Sequence, residues 1–513
     1  MERGLIVLAV VVALFLLGKW LEGRKWPTHV KANEPLDKPL LWLEGSGINR
    51  PFTAKMATEG VFCCAELGWG KTWLVFLRYL DAYVRQGMGG FILGAKTEDL
   101  PHVEVVFARA GASDRLVVIG PRYKHKVNWF EALLKIAAPG SETEEVVGAL
   151  CSLLEIEQRT AGKSGGEGQQ FFKTHSMALL SVAVTVLRLI GEPINAFNLY
   201  RFIITLPASG QEIGSEEWRK SSYANACMAT AYAQGKTATQ AEAYEHARLY
   251  VFEELLKQGE RTRGSIISTS SSMLAKLLRG WMRDIWSTTT TVDLGRALDS
   301  NVFYYFDTSP LEYGEYGTYS HVMAKSLAQR MIERRRIDQN SKPVALMFDE
   351  AHAIFVTTDR DHQAICRQKL GCSWVATQNL TGLFSALGGG KDAESQVKSW
   401  VALFGCKIFG TNTDWDTNTY ASQLCGQQLQ TFGSGNIDCS THETMWDQLM
   451  GNTKQSYGWS ERYEAVLRPE EWVRLRKPEP PNYEADAIVI MSRLQAVLGR
   501  HWMQATFRPL TKG

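Results

Sequence analysis

No two cysteines in this chain have the spacing of a metal site. Nine are scattered over 513 residues, an odd number, and Cys63 and Cys64 are adjacent within an apolar run. That argues against a zinc ribbon and against a disulfide-stapled secreted scaffold, and reads as reduced thiols in a cytosolic body. An excess of one charge is missing too. Lys and Arg number 56 and Asp and Glu 54, a net of +2. The chain therefore has no overall basic field for nucleic acid, and any such surface must be a local patch or a pore lining. The one dense basic run, "ERRR" at 333–336, reads as a solvated helix end. Internal repeats are absent. What remains is ordinary globular composition, 45% hydrophobic and 21% charged, with length enough for two or three domains.

One long apolar run stands out. "LIVLAVVVALFLLG", residues 5–18, carries no charge. It is shorter than the roughly 20 residues of a bilayer span, but Trp20 and Leu21 extend it and Lys19 can snorkel. The leading "MERG" is hardly positive and no small-x-small site follows, which disfavours a cleaved signal peptide. "GKWLEGRKW" has the aromatic and basic anchors of an interfacial stop. Arg3 precedes the run and Lys19, Arg24 and Lys25 follow it, so the expectation is a single-pass anchor over 1–25 with the bulk of the chain cytoplasmic.

Residues 25–58 are polar and read as a linker plus an edge of the main domain. "GVFCCAELGWGKTWLVFLRYLDAYVRQG", "GGFILGAKTEDL" and "DRLVVIGPR" then alternate short β-rich runs with helical periods, the pattern of a parallel sheet covered by helices. From Ser141, which with Glu144 forms a capping-box signature, no convincing strand appears before residue 258. Alternation resumes with "NVFYYFD", "PVALMFDE", "CSWVAT" and "FGCKIFG". The expected organisation is an anchor (1–25), a first part of a nucleotide-binding domain (26–140), an all-α insertion (141–258), a second part (259–475) and a tail with a possible hairpin (476–513).

"AELGWGKT" follows a strand and opens a helix, which is the context of a P-loop. The backbone N–H groups of Ala65, Glu66, Leu67, Gly68, Trp69, Gly70, Lys71 and Thr72 would cradle the phosphates of ATP at a helix N-terminus. Lys71 would reach the β- and γ-phosphates, and Thr72 would hold Mg2+. Ala65 stands where the general pattern has glycine. "VALMFDE" (344–350) places an acid at the end of a buried strand, expected beside the P-loop strand. Asp349 would orient Mg2+, and Glu350 would act as general base on the attacking water.

Asp349-Glu350-Ala351-His352 also spells the box of the DEAH helicases, and the P-loop fits them. As a family trait, those helicases place the two motifs close together and need a second motor lobe with an arginine-rich QxxGRxGR element. Here Lys71 and Asp349 lie 278 residues apart, and only 163 residues follow Glu350, without that element. His352 is accordingly read as incidental to catalysis.

The wide separation is explained by the insertion. A nucleotide-binding domain interrupted by an all-α domain, behind an N-terminal apolar anchor, resembles the coupling proteins of type IV secretion and conjugation, in the hexameric translocase group that includes HerA and FtsK. "ERTRGSIIST", "FDEAHAIF", "SWVATQNLTGLF" and "KIFGTNTDWDTNTYASQLCG" resemble consecutive blocks of that family, and the similarity covers most of residues 50–510. The resemblance implies a RecA-like α/β ATPase domain with an N-terminal transmembrane helix. It implies a homo-hexamer at the inner membrane that moves DNA, single-stranded with attached protein, into a secretion channel, with relaxosome and channel proteins as partners. Gln378 matches the family's γ-phosphate sensor and Arg367 its arginine finger, a role for which Arg261 and Arg263 compete. The family's second membrane helix has no counterpart here, which keeps a phage-type DNA pump open. A protein-only secretion ATPase and a cargo-docking receptor that uses ATP for assembly stay open as well.

Overall fold

The computed structural model describes residues 35–45, 48–160, 167–235, 237–438 and 454–510. The apolar run at 5–18 lies outside them. Among the described residues no helix is long and apolar enough to cross a membrane.

Among the described residues thirteen strands occur in chain order: β1 (Pro39–Gly45), β2 (Ile48–Thr53), β3 (Val61–Cys64), β4 (Gly89–Leu93), β5 (Leu116–Ile119), β6 (Phe303–Phe306), β7 (Val344–Phe348), β8 (Gly371–Thr377), β9 (Cys406–Phe409), β10 (Gln427–Asp438), β11 (Lys454–Ala465), β12 (Ala485–Ile490) and β13 (Trp502–Phe507). Eleven form one mixed sheet in the order β2-β1-β13-β12-β9-β3-β8-β7-β4-β6-β5. From β9 to β5 all pairings are parallel. The β12–β13 and β1–β2 hairpins extend the sheet antiparallel beyond β9. Residues within the stretch read as a linker thus form the sheet's terminal hairpin.

Every residue of β3, β4, β7 and β8 is buried, as parallel strands covered on both faces must be. Their side chains alternate between two cores. Val61, Cys63, Ile92, Met347 and Trp374 join the core under the helix that follows the P-loop. Phe62, Cys64, Phe91, Phe348 and Val375 join the other, which runs without a break into the helices inserted between β5 and β6. The insertion is therefore packed on one face of the sheet through a shared apolar core.

Nine helices matter for the site. A π-turn over Lys71–Phe76 leads into α1 (Leu77–Arg85), and α2 (Asp99–Arg109) follows β4. The helices between β5 and β6 include α3 (Glu142–Thr160), α4 (Glu167–Leu189) and α5 (Glu260–Lys276), the last lying past the expected insertion end at 258. Beyond it lie α6 (Pro310–Arg334), broken at Gly314, the single turn α7 (Ala351–Ile354), α8 (Thr358–Cys366) and α9 (Trp415–Cys425).

One expectation is corrected. β7, which carries the acid pair, does not lie beside β3; β8 runs between them. The two motifs still meet because β3, β8 and β7 are parallel and end at the same edge. The chain leaving β3 turns back across the end of β8 to reach Asp349.

The strands β10 and β11 pair only with each other, in register over their full length. Trp459, Tyr463 and Leu429 are exposed on this ribbon.

Candidate nucleotide site

The P-loop turns where two glycines have left-handed backbone, Gly68 at φ 81° and Gly70 at φ 87°. A Cβ at Gly70 would also meet the Leu74 side chain at 2.9 Å, while at Gly68 nothing lies within 4 Å, so the turn presents an uncovered backbone. The loop is pinned from behind. Trp69 is fully buried, its indole N–H donates to the Asp486 carbonyl at 3.2 Å, and its ring packs against Phe507. Glu66 pairs with Lys477. Ala65 is buried and Leu67 exposed.

Lys71 is buried, and its ammonium donates to the carbonyls of Ala65 at 2.8 Å and Glu66 at 3.3 Å. The Thr72 hydroxyl donates to Asp349 Oδ2 at 2.8 Å, which joins the two motifs directly. Asp349 Oδ1 accepts from the Glu350 N–H at 2.7 Å. Glu350 itself has φ 51° and ψ 47°, a left-handed conformation unusual outside glycine and held only where surroundings enforce it. Gln378 Nε2 donates to both Glu350 carboxylate oxygens, at 3.1 and 3.2 Å. The Gln378 backbone is fixed in turn, since its carbonyl accepts from Asn412 Nδ2 at 2.7 Å.

The structure thus brings together Lys71, Thr72, Asp349, Glu350 and Gln378. It does not bring Arg367 to them. That side chain lies ahead of β8, at the edge opposite the P-loop, 59% exposed and 3.5 Å from Glu59. Arg261 is exposed at the start of α5, and Arg263 bonds to the carbonyls of Ala208 and Gln258.

Further side chains lie at the site. His352, read as incidental, places Nδ1 3.4 Å from Glu350 Oε2. Trp73, Lys96, Asp99 and His102 line the same cavity of about 480 Å³ as Lys71, Thr72, Asp349 and Glu350. Only topology makes Asp99 visible, because β4 pairs with β7 and delivers the start of α2 beside Asp349. Burial, reinforced by the charge of Asp349, pushes the Asp99 carboxyl from its ordinary 3.8 up to about 6. Between those values the folded chain binds a proton that the unfolded chain does not, so Asp99 lowers stability as pH rises across the window and keeps it lower above. Asp99→Asn is expected to stabilise the nucleotide-free protein at pH 8 by up to about 3 kcal/mol. The gain should shrink as pH falls towards 4. Denaturant unfolding at pH 8 and pH 5 checks this, and an equal gain at both would refute it.

No family model and no curated protein matches the sequence. Solved structures do. The bacterial conjugative coupling protein TrwBdeltaN70, in its unbound monoclinic form, matches over 92% of this chain and 88% of its own, with TM-score 0.52 and 13% identity. The chain has the fold of the conjugative coupling proteins. The plasmid coupling protein TrwB in complex with ADP and Mg2+ matches with TM-score 0.51 and 12% identity, over 90% of this chain and 87% of its own. At such identity the likeness speaks for the coupling-protein fold; the residues above speak for the chemistry.

Proposed function

We propose that this chain is an ATPase of type IV secretion or conjugation, anchored in the inner membrane, that couples ATP hydrolysis to passage of single-stranded nucleoprotein DNA through a homo-hexameric ring. The observation that carries this reading is the joined constellation of Lys71, Thr72, Asp349, Glu350 and Gln378 on a coupling-protein fold. A threonine hydroxyl against a carboxylate is a hard-oxygen donor pair that suits Mg2+, and the solved TrwB complexes contain ADP with Mg2+, or the ATP analogue ADPNP. Thr72 and Asp349 would hold Mg2+, whose contribution when bound would be to neutralise charge that develops on the phosphates. Lys71 would leave its two carbonyls for the phosphates. Glu350 would accept the proton of the attacking water, and Gln378, already on that carboxylate, would orient it. The apolar run at 5–18 supports the anchor, and the single P-loop per chain supports a ring of subunits.

The test is ATP turnover of the purified protein with and without single-stranded DNA. Stimulation is expected, with binding that tolerates sequence and weakens steeply with salt. Turnover indifferent to DNA would favour a protein-only secretion ATPase. No turnover in either case would favour a docking receptor.

A further inference from the structure

Behind Glu350 the chain makes one helical turn, α7, and from its last residue, Ile354, to Thr357 each residue's backbone is bonded by a side chain. The Ile354 carbonyl accepts from Lys325 Nζ at 2.5 Å. The Phe355 carbonyl accepts from Arg159 Nη2 at 2.6 Å. The Val356 N–H donates to Asp359 at 3.0 Å. The Thr357 N–H and hydroxyl both donate to the Glu155 carboxylate, at 2.9 and 2.5 Å. Glu155 and Arg159 are one turn apart on α3, so two of these four attachments come from the helical insertion. Lys173 of α4 pairs with Glu155 at 2.5 Å, and Lys325 of α6 pairs with Asp359 at 2.5 Å, so both carboxylates of the cluster are paired with a cation.

Anchoring alone does not require this. Ile354, Phe355 and Val356 are buried in the core that the insertion shares with the sheet, and apolar packing already fixes where the segment lies. Buried ion pairs add little net stability over apolar side chains of like volume, because both charges lose their water. What they add is direction, because each bond fixes one backbone group. The left-handed backbone at Glu350 is a conformation that surroundings must enforce. Only α7 separates it from the clamped residues, and the Ala353 N–H bonds back to the Glu350 carbonyl at 2.9 Å.

We propose that Glu155 and Arg159 are positioning residues for the general base: they clamp residues 355–357 and, through α7, hold Glu350 in its left-handed conformation with the carboxylate on Gln378. This rests on the ATPase reading above. It gives the helical insertion a direct mechanical route to hydrolysis that touches no nucleotide contact.

The test uses the full chain and measures steady-state ATP turnover together with the affinity of a fluorescent nucleotide analogue. Arg159→Met is expected to lower kcat by about 10- to 100-fold, the scale of a small misplacement of a catalytic group. KM and analogue affinity should stay within about twofold, since no ground-state contact is lost. Arg159→Lys should recover part of the rate. In a Glu350→Gln background, Arg159→Met should cost nothing further, because the group it positions is gone. Thr357→Val removes one hydroxyl from the clamp and should lower kcat by a few-fold. An unchanged kcat in folded Arg159→Met, or a parallel loss of kcat and affinity, would overturn the proposal. If Arg159→Met does not fold, an unchanged kcat in Thr357→Val overturns it. A wild-type chain without turnover would remove the ATPase reading and this inference with it, whereas an active wild type with unaffected variants would remove this inference alone.

Discussion

Glu350→Gln is expected to bind nucleotide as the wild type does and to hydrolyse it about 10²- to 10⁴-fold more slowly, the usual worth of a positioned general base. The amide keeps the size of the carboxylate and can still meet Gln378, which now donates to both carboxylate oxygens. It cannot accept the proton of the attacking water. Asp349 and Thr72 remain in contact with each other, so the metal donors are untouched. Affinity for a fluorescent ATP analogue and single-turnover hydrolysis, measured on the same sample, separate the two effects. Lys71→Ala differs in kind: it removes the cation itself, so turnover should be nearly lost through missing charge stabilisation. A Glu350→Gln enzyme that hydrolyses at the wild-type rate would take the base role from Glu350. Asp99 would be next in line, since its carboxyl lines the same cavity and is already pushed up to about 6.

The residues that make this prediction were legible in the sequence to different degrees. "AELGWGKT" and "VALMFDE" are read from local rules, because a glycine turn opening a helix and an acid ending an apolar run are visible without long-range information. Local rules give Thr72 and Asp349 each a role toward Mg2+, but they do not reveal the strand between their strands: burial pattern identifies β3, β7 and β8 as central without ordering them. Asp99 and His352 carried no signal of their own. One reaches the site through the β4–β7 pairing, and the other through the tight turn that Glu350 makes. The β10–β11 ribbon was missed for a different reason. Where their side chains are described, none in "QQLQTFGSGNID" or "KQSYGWSERYEA" is buried, and the sequences lack the alternation of apolar and polar residues by which a half-buried strand announces itself. The clamp on residues 355–357 was invisible because Glu155 and Arg159 sit in "CSLLEIEQRT", a sequence that predicts a helix and says nothing of what its polar face meets.

Arg367→Ala is expected to cut turnover by roughly 10³-fold or more while nucleotide affinity changes much less, by analogy with other arginine fingers. The geometry says where such an effect must come from. Arg367 precedes β8, and Gln378 follows it. Seven residues of extended chain therefore separate the guanidinium's backbone from its own catalytic edge, roughly 23 Å at 3.3 Å per residue. An arginine side chain cannot span that distance, so any action on a phosphate must be on a neighbouring subunit's site. Among the described residues it pairs with Glu59 at 3.5 Å, and its side chain is mostly exposed, which leaves the guanidinium available across an interface. The planar, permanently charged fork suits a developing phosphate charge in a way a lysine would not. Mixing Arg367→Ala with Lys71→Ala is the decisive measurement. Each variant alone should be nearly inactive. In mixed rings some interfaces pair an intact P-loop with an intact Arg367, so turnover should partly return, and only under conditions where the ring assembles. If mixed rings form by native mass measurement and stay inactive, Arg367 is not the shared residue. Arg261, exposed at the start of α5, then becomes the next to test, ahead of Arg263, whose guanidinium is already bonded to backbone carbonyls.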